Sequence, residues 1–259
     1  MNDEIPSQDE DQEKQSETHS DTDTEIPQQQ KAKQVPTDIS QLNFICYEDK
    51  MTILGASGSG KSYLANNLLQ NLHGVNVYVW DFNFQFHDSR AIVFHNLDEM
   101  IETINEAGNH SLHCILQSHD NSEAEFRKFC KFCFNHGNCV VIADEIHSYV
   151  TKQKLIKEFN DMILSGRPRG VSVISISSRP ASLPNNVLSN SMHVFAFKLN
   201  LESDCEFLES FIGNQVWQLM PKDKRKKMKD APEQEKYTFF YRNQNEDSGS
   251  FGKIWKNET

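Results

Sequence analysis

From residue 51 onward the chain alternates short, mostly apolar runs with longer amphipathic stretches, and turn-forming residues separate them. Residues 51–54, 75–80, 91–94, 112–116, 139–143, 171–177 and 193–199 read as strands. Residues 91–94 and 139–143 are apolar at every position, the pattern of parallel strands covered on both faces. Residues 62–72, 97–107, 123–135, 152–164, 184–190 and 203–212 read as helices; Leu64, Ala65, Leu68, Leu69 and Leu72 share one face of the first. Gly108, Gly137, Gly166 and Pro168 stand where helices should stop. Residues 237–242 and 251–255 form an expected terminal hairpin. Strands alternating with helices predict an α/β domain with a mainly parallel central sheet flanked by helices. No internal repeat is visible.

The first 40 residues break this pattern. They hold eleven acids against three lysines and almost no large apolar side chain. Such a segment buries too little surface to offset its chain entropy, so a disordered acidic tail is expected over residues 1–40. It carries eight of the eleven net negative charges, which leaves the domain at 41–259 nearly neutral. No apolar run approaches the roughly 18–20 residues that span a bilayer, and the acidic start is unlike a signal peptide. A soluble, cytoplasmic protein is expected, with its six cysteines as thiols.

The first strand runs into Gly55, Ala56, Ser57, Gly58, Ser59, Gly60, Lys61 and Ser62, the full phosphate-loop pattern G-x4-G-K-[ST]. Glycines there let backbone N–H groups turn in around a phosphate, and the following helix presents its positive end. Lys61 is then placed for the β- and γ-phosphates of ATP, and the Ser62 hydroxyl for Mg²⁺. The most apolar strand ends in Asp144 and Glu145. Asp144 is a second Mg²⁺ candidate at the strand tip. Glu145 is positioned to polarise an attacking water, which favours hydrolysis over transfer to an acceptor. Arg167, Arg169 and Arg179 are candidate arginines for charge developing on the transferred phosphoryl group, in part from a neighbouring subunit.

These pieces, in this order, resemble the FtsK/HerA superfamily of DNA-translocating ATPases, most of all the genome-packaging ATPases of tailless internal-membrane viruses. The resemblance covers about residues 51–212. It rests on the phosphate loop, on Asp144-Glu145-Ile146-His147, on Gly166-Arg167-Pro168-Arg169-Gly170-Val171 and on Ser177-Ser178-Arg179-Pro180. It implies a RecA-like P-loop fold of the class with an added catalytic glutamate, and ATP hydrolysis coupled to movement of double-stranded DNA without sequence preference. It further implies a homo-oligomeric ring, a hexamer by analogy, with capsid or portal proteins as partners and the host cytoplasm or virion vertex as location. Arg167 or Arg169 would act in trans, with Arg179 near the sensor and His147 beside the acids. Ser178 stands where the family carries glutamine, so as a nucleotide contact it has a shorter reach. The rival readings are a cellular translocase of the same superfamily, a small-molecule kinase, which would need an acceptor lid, and a nucleotide-gated assembly protein.

Three features stand outside these motifs. Cys130, Cys133, His136 and Cys139 have zinc-ligand chemistry but tight spacing, and read better as core thiols. The basic run Lys222, Lys224, Arg225, Lys226, Lys227 and Lys229, in a C-terminal extension at 213–259, suits either a DNA phosphate path or a solvated helix face. Phe82, Phe84 and Phe86 alternate as in a half-buried extended segment.

Overall fold

A computed structural model describes residues 44–108, 110–221, 237–245 and 249–254. The acidic tail, the basic run at 222–229 and Trp255 lie outside them. The strands are β1 (Lys50–Leu54), β2 (Asn76–Trp80), β3 (Ile92–Phe94), β4 (His113–Leu116), β5 (Cys139–Ala143), β6 (Val171–Ser177), β7 (His193–Phe197), β8 (Thr238–Asn243) and β9 (Ser250–Lys253). The helices are α1 (Lys61–Asn71), α2 (Leu97–Ala107), α3 (Glu123–His136), α4 (Lys157–Ser165), α5 (Asn185–Ser189) and α6 (Glu202–Ile212).

Among the described residues the strands form one sheet in the order β3-β4-β2-β5-β6-β1-β7-β8-β9. Pairing is parallel from β3 through β7; the terminal hairpin then adds β8 and β9 antiparallel. Strands β1, β4, β5, β6 and β7 are buried at every position, which accounts for their mostly apolar sequences; β5 is apolar throughout, and the polar residues in the others are small or buried, such as Thr52, Ser172 and Ser175. Successive side chains feed opposite faces. Tyr78, Trp80, Val141 and Val173 pack with Phe126, Phe129 and Met162 of α3 and α4. Val77, Val79, Ile142 and Ile176 pack with Leu64 and Leu68 of α1 and with Phe239 of the hairpin.

Local chemistry sets the helix ends. Asn96 caps α2 by accepting from the Asp98 and Glu99 N–H groups at 2.8 and 3.2 Å, and Ser122 caps α3 through the Glu125 N–H at 3.2 Å. Helix α1 has an unusual C-terminal clasp. The Arg90 guanidinium donates to the carbonyls of Leu69, Gln70 and Leu72 at 3.1, 3.0 and 2.8 Å. Asp88 holds that guanidinium in place, at 2.9 and 2.7 Å. Burial alone would raise the Asp88 carboxyl, but hydrogen bonds from Arg90 and His113 bring it down to about 2.

Two local expectations need correction. The helix expected over 152–164 begins at Lys157. Residues Thr151 to Lys154 form a tight turn, with Thr151 and Lys154 exchanging backbone bonds at 2.9 and 3.1 Å, and the Lys152 N–H goes to Ser182 O at 2.8 Å. Those donors are therefore not available to a helix. The phenylalanines after β2 do not form an extended segment. Their loop folds back on Asp81, whose carboxylate accepts the Gln85 and Phe86 N–H groups at 2.9 and 3.0 Å. Phe84 sits at φ 56° and is exposed, while Phe86 is fully buried.

Candidate active site

The phosphate loop leaves β1 at Leu54, between the ends of β6 and β7. Two backbone bonds anchor it: Gly55 N–H to Ser177 O at 3.3 Å and Ala56 N–H to Lys198 O at 2.7 Å. Gly58 and Gly60 take φ of 76° and 112°. A Cβ on Gly60 would stand 2.6 Å from the Tyr237 ring and 3.2 Å from that of Phe197, so only glycine fits there. Helix α1 starts at Lys61 with no side-chain cap and no acid in its first turn, so its positive end faces the loop. Ser59 is buried, and its hydroxyl has no hydrogen-bond partner among the described residues.

Lys61 is 5% exposed, and its ammonium donates to Ala56 O at 3.1 Å. Burial lowers its pKa, and the charges of Glu145 and Asp144 oppose that. A buried cation with one neutral carbonyl as its hydrogen-bonded partner here is electrostatically matched to a phosphate.

Three acids meet at the tips of neighbouring strands β2 and β5. Asp81 is committed to structure, since it also accepts from Gln117 Nε2 at 2.9 Å. Asp144 is 1% exposed and receives one long bond, from Asn83 Nδ2 at 3.3 Å. Burial, then the charges of Glu145 and Asp81, push its carboxyl up to about 7 against the pull of Lys61. Glu145 adopts a left-handed φ of 47°, which turns its side chain across to the end of β6. There its Oε2 accepts from Ser178 N–H at 3.2 Å and Ser178 Oγ at 3.0 Å, and His147 Nδ1 lies 3.0 Å away. Burial works to raise this carboxyl, but His147, Lys61 and Ser178 outweigh it and hold Glu145 below the usual range. Asp144 and Glu145 are thus adjacent in sequence and opposite in proton affinity.

Lys61, Ser62 and Glu145 line one open cleft of 420 Å³. Sequence reasoning missed four other side chains in it, Tyr63, Asn83, Gln85 and Tyr237. Asn83 and Gln85 sit on the loop after β2 and Tyr237 just before β8, so their approach is set by the sheet order and carries no local sequence signal. Ser178, expected as a nucleotide contact, is bonded to Glu145. Arg179 is exposed at the same end of the sheet, where its charge lowers the buried Asp204 carboxyl against the stronger effect of burial.

Arg167 and Arg169 sit before β6, at the opposite pole. A seven-residue strand puts them about 20 Å from the loop of their own chain. Arg167 is 71% exposed and pairs with Glu48 at 2.6 Å; Arg169 lies over the Phe134 ring, 4.6 Å from its centroid. Cys130, Cys133 and Cys139 are buried, and His136 packs against Tyr78 and Phe132. Burial pushes Cys130 and Cys133 well above the usual thiol range.

No curated protein matches the chain in sequence. In fold it is similar to the genome packaging NTPase B204 of Sulfolobus turreted icosahedral virus 2, solved with ATP-γS. That match has a TM-score of 0.63 at 16% identity and covers 82% of this chain and 100% of that one. B204 of Sulfolobus turreted icosahedral virus, described as a DNA-packaging ATPase, gives 0.59 at 17% identity over 80% of this chain and 98% of that one. The cytoplasmic domain of the type VII secretion ATPase EccC from Thermomonospora curvata gives 0.50 at 10%, over 82% of this chain and 24% of that one. The RecA-like fold expected from the motifs is the fold observed. The AAA domain family matches residues 47–177, just over half the chain and the stretch from the phosphate loop through both acids to the end of β6. The chain therefore belongs to the AAA domain family and is a P-loop ATPase.

Proposed function

We propose that this chain is the ATP-driven motor of a viral genome-packaging machine, moving double-stranded DNA without sequence preference as a homo-oligomeric ring. Hydrolysis rests on one observation: Glu145 is held ionised by Ser178 and His147 in the same cleft as Lys61 and Ser62. The coupling to DNA is supported by the fold shared with B204, which spans the whole of that packaging NTPase.

ATP lies with its phosphates in the loop, where Lys61 exchanges Ala56 O for phosphate oxygens. The donor set fits Mg²⁺: Ser62 supplies a hydroxyl and Asp144 a buried, under-bonded carboxylate among other acids. When bound, the ion neutralises charge on the β- and γ-phosphates. Glu145 accepts a proton from water as its oxygen bonds to the γ-phosphorus, and the bond to the β–γ bridging oxygen breaks, leaving ADP and phosphate. Ser178 and His147 orient Glu145. Of the candidate arginines, Arg179 stands at the loop's own end of the sheet, while Arg167 and Arg169, at the far end of β6, would serve a neighbour's site and not their own. Capsid or portal proteins complete the assembly at the virion vertex or in the host cytoplasm. Among the described residues no helix is long and apolar enough to cross a membrane.

The test is the ATPase rate of the purified full chain with and without duplex DNA, alongside its mass in solution. DNA-stimulated hydrolysis by a ring is expected. A monomer whose rate ignores DNA overturns the motor, and phosphate release that needs an added acceptor identifies a kinase instead.

A further inference from the structure

The nucleotide cleft is lined by polar and charged groups (Lys61, Asn83, Gln85 and Glu145) and by two aromatic rings, Tyr63 and Tyr237. With the γ end at Glu145, the aromatic lining of the cleft, over Gly60 and next to Ser62, is the surface that suits a base.

Tyr237 is delivered to this position by backbone bonds. Its N–H donates to Ser59 O in the phosphate loop at 3.1 Å, and its carbonyl accepts the Ile254 N–H at 3.0 Å, so the start of the terminal hairpin is pinned to the loop. The ring sits directly over Gly60, close enough that a Cβ there would be 2.6 Å from it. Tyr63 meets it edge-on, centroids 5.8 Å apart at 64°. Both rings are partly exposed toward the cleft. Tyr237 also holds a φ of 65°, a left-handed conformation that is strained for a bulky residue and is retained where the surroundings demand it.

We infer that Tyr237 is the base platform of this ATPase, its ring stacking on the base of the bound nucleotide while Tyr63 props the ring from the side. The assignment rests on the nucleotide reading of the cleft. It adds a specificity element from the last hairpin of the chain, outside the stretch that the family match covers.

The experiment compares affinities of the full-length chain for ATP and for inorganic tripolyphosphate, which carries the phosphates without a base. Tyr237→Ala should weaken ATP about tenfold, the scale of one base–aromatic stack, and leave tripolyphosphate unchanged. Tyr237→Trp should restore ATP. Equal losses for both ligands would mean that the ring only braces the loop, and an unchanged ATP affinity would remove the platform altogether. Lys61→Ala serves as the separate control. If that variant keeps its affinity for both ligands, the nucleotide reading itself fails, whatever Tyr237 does.

Discussion

Ser178 gives two hydrogen bonds to one oxygen of Glu145, from its backbone N–H at 3.2 Å and its hydroxyl at 3.0 Å. The tip of β6 thereby sets the direction of a carboxylate that starts at the tip of β5. A longer side chain at 178 would reach past this carboxylate, and serine stops at it.

Removing the hydroxyl keeps the backbone donor and loosens Glu145. Ser178→Ala should lower kcat about tenfold, the effect of one hydrogen bond to a charged group, with ATP affinity nearly unchanged. Because the lost bond favours the ionised form, the acid limb of the kcat profile should also move to higher pH. A kcat loss with an unmoved limb would assign Ser178 to structure alone.

Glu145→Gln should retain ATP binding and lose turnover by roughly 100-fold or more, the usual contribution of a general base. Lys61→Ala should lose nucleotide affinity instead. Unchanged turnover in the glutamine variant would point to a nucleotide-gated assembly protein.

Burial and the neighbouring charges of Glu145 and Asp81 raise the Asp144 carboxyl from the ordinary 3.8 to about 7. An acid whose pKa is raised on folding stabilises the fold while protonated, and that contribution is lost as pH climbs from about 4 through 7. The ligand-free chain should therefore lose stability across this window, by up to roughly 4 kcal/mol. Asp144→Asn should flatten the loss while abolishing Mg²⁺-dependent hydrolysis. Thermal melts of both proteins at pH 5 and pH 8 check it, and parallel pH dependences would refute it.

Arg90→Ala leaves three carbonyls at the end of α1 without their donor and leaves Asp88 with only His113 and the residue-90 backbone N–H. A loss of roughly 2–3 kcal/mol is expected, read by denaturant melts, with Arg90→Lys recovering only part because an ammonium cannot reproduce the fork.

The readable parts of this molecule were those whose causes are local. Helix α2 and strand β5 start and stop where their side-chain pattern places them, since Asn96 caps within its own turn and five apolar residues fill β5. The phosphate loop declares itself because each of its glycines answers a nearby steric demand. Residues 152–156 misled because their helix-compatible composition is overridden by a backbone bond to Ser182, 30 positions away. The Asn83–Asp144, Ser178–Glu145 and Tyr237–Ser59 contacts were not legible, because sheet order brings each pair together and nothing in either residue's neighbourhood announces the other.

Strand β1 sits between β6 and β7, with Leu54 beside both Ser177 and Ala196. On the ribosome the glycine-rich turn emerges early, yet both its flanking walls are made much later. Such non-local closure is entropically slow. A nascent chain halted before residue 171 carries the complete phosphate motif without a pocket to present it. Nucleotide then acts as a late folding ligand, binding the finished sheet and drawing the population toward it.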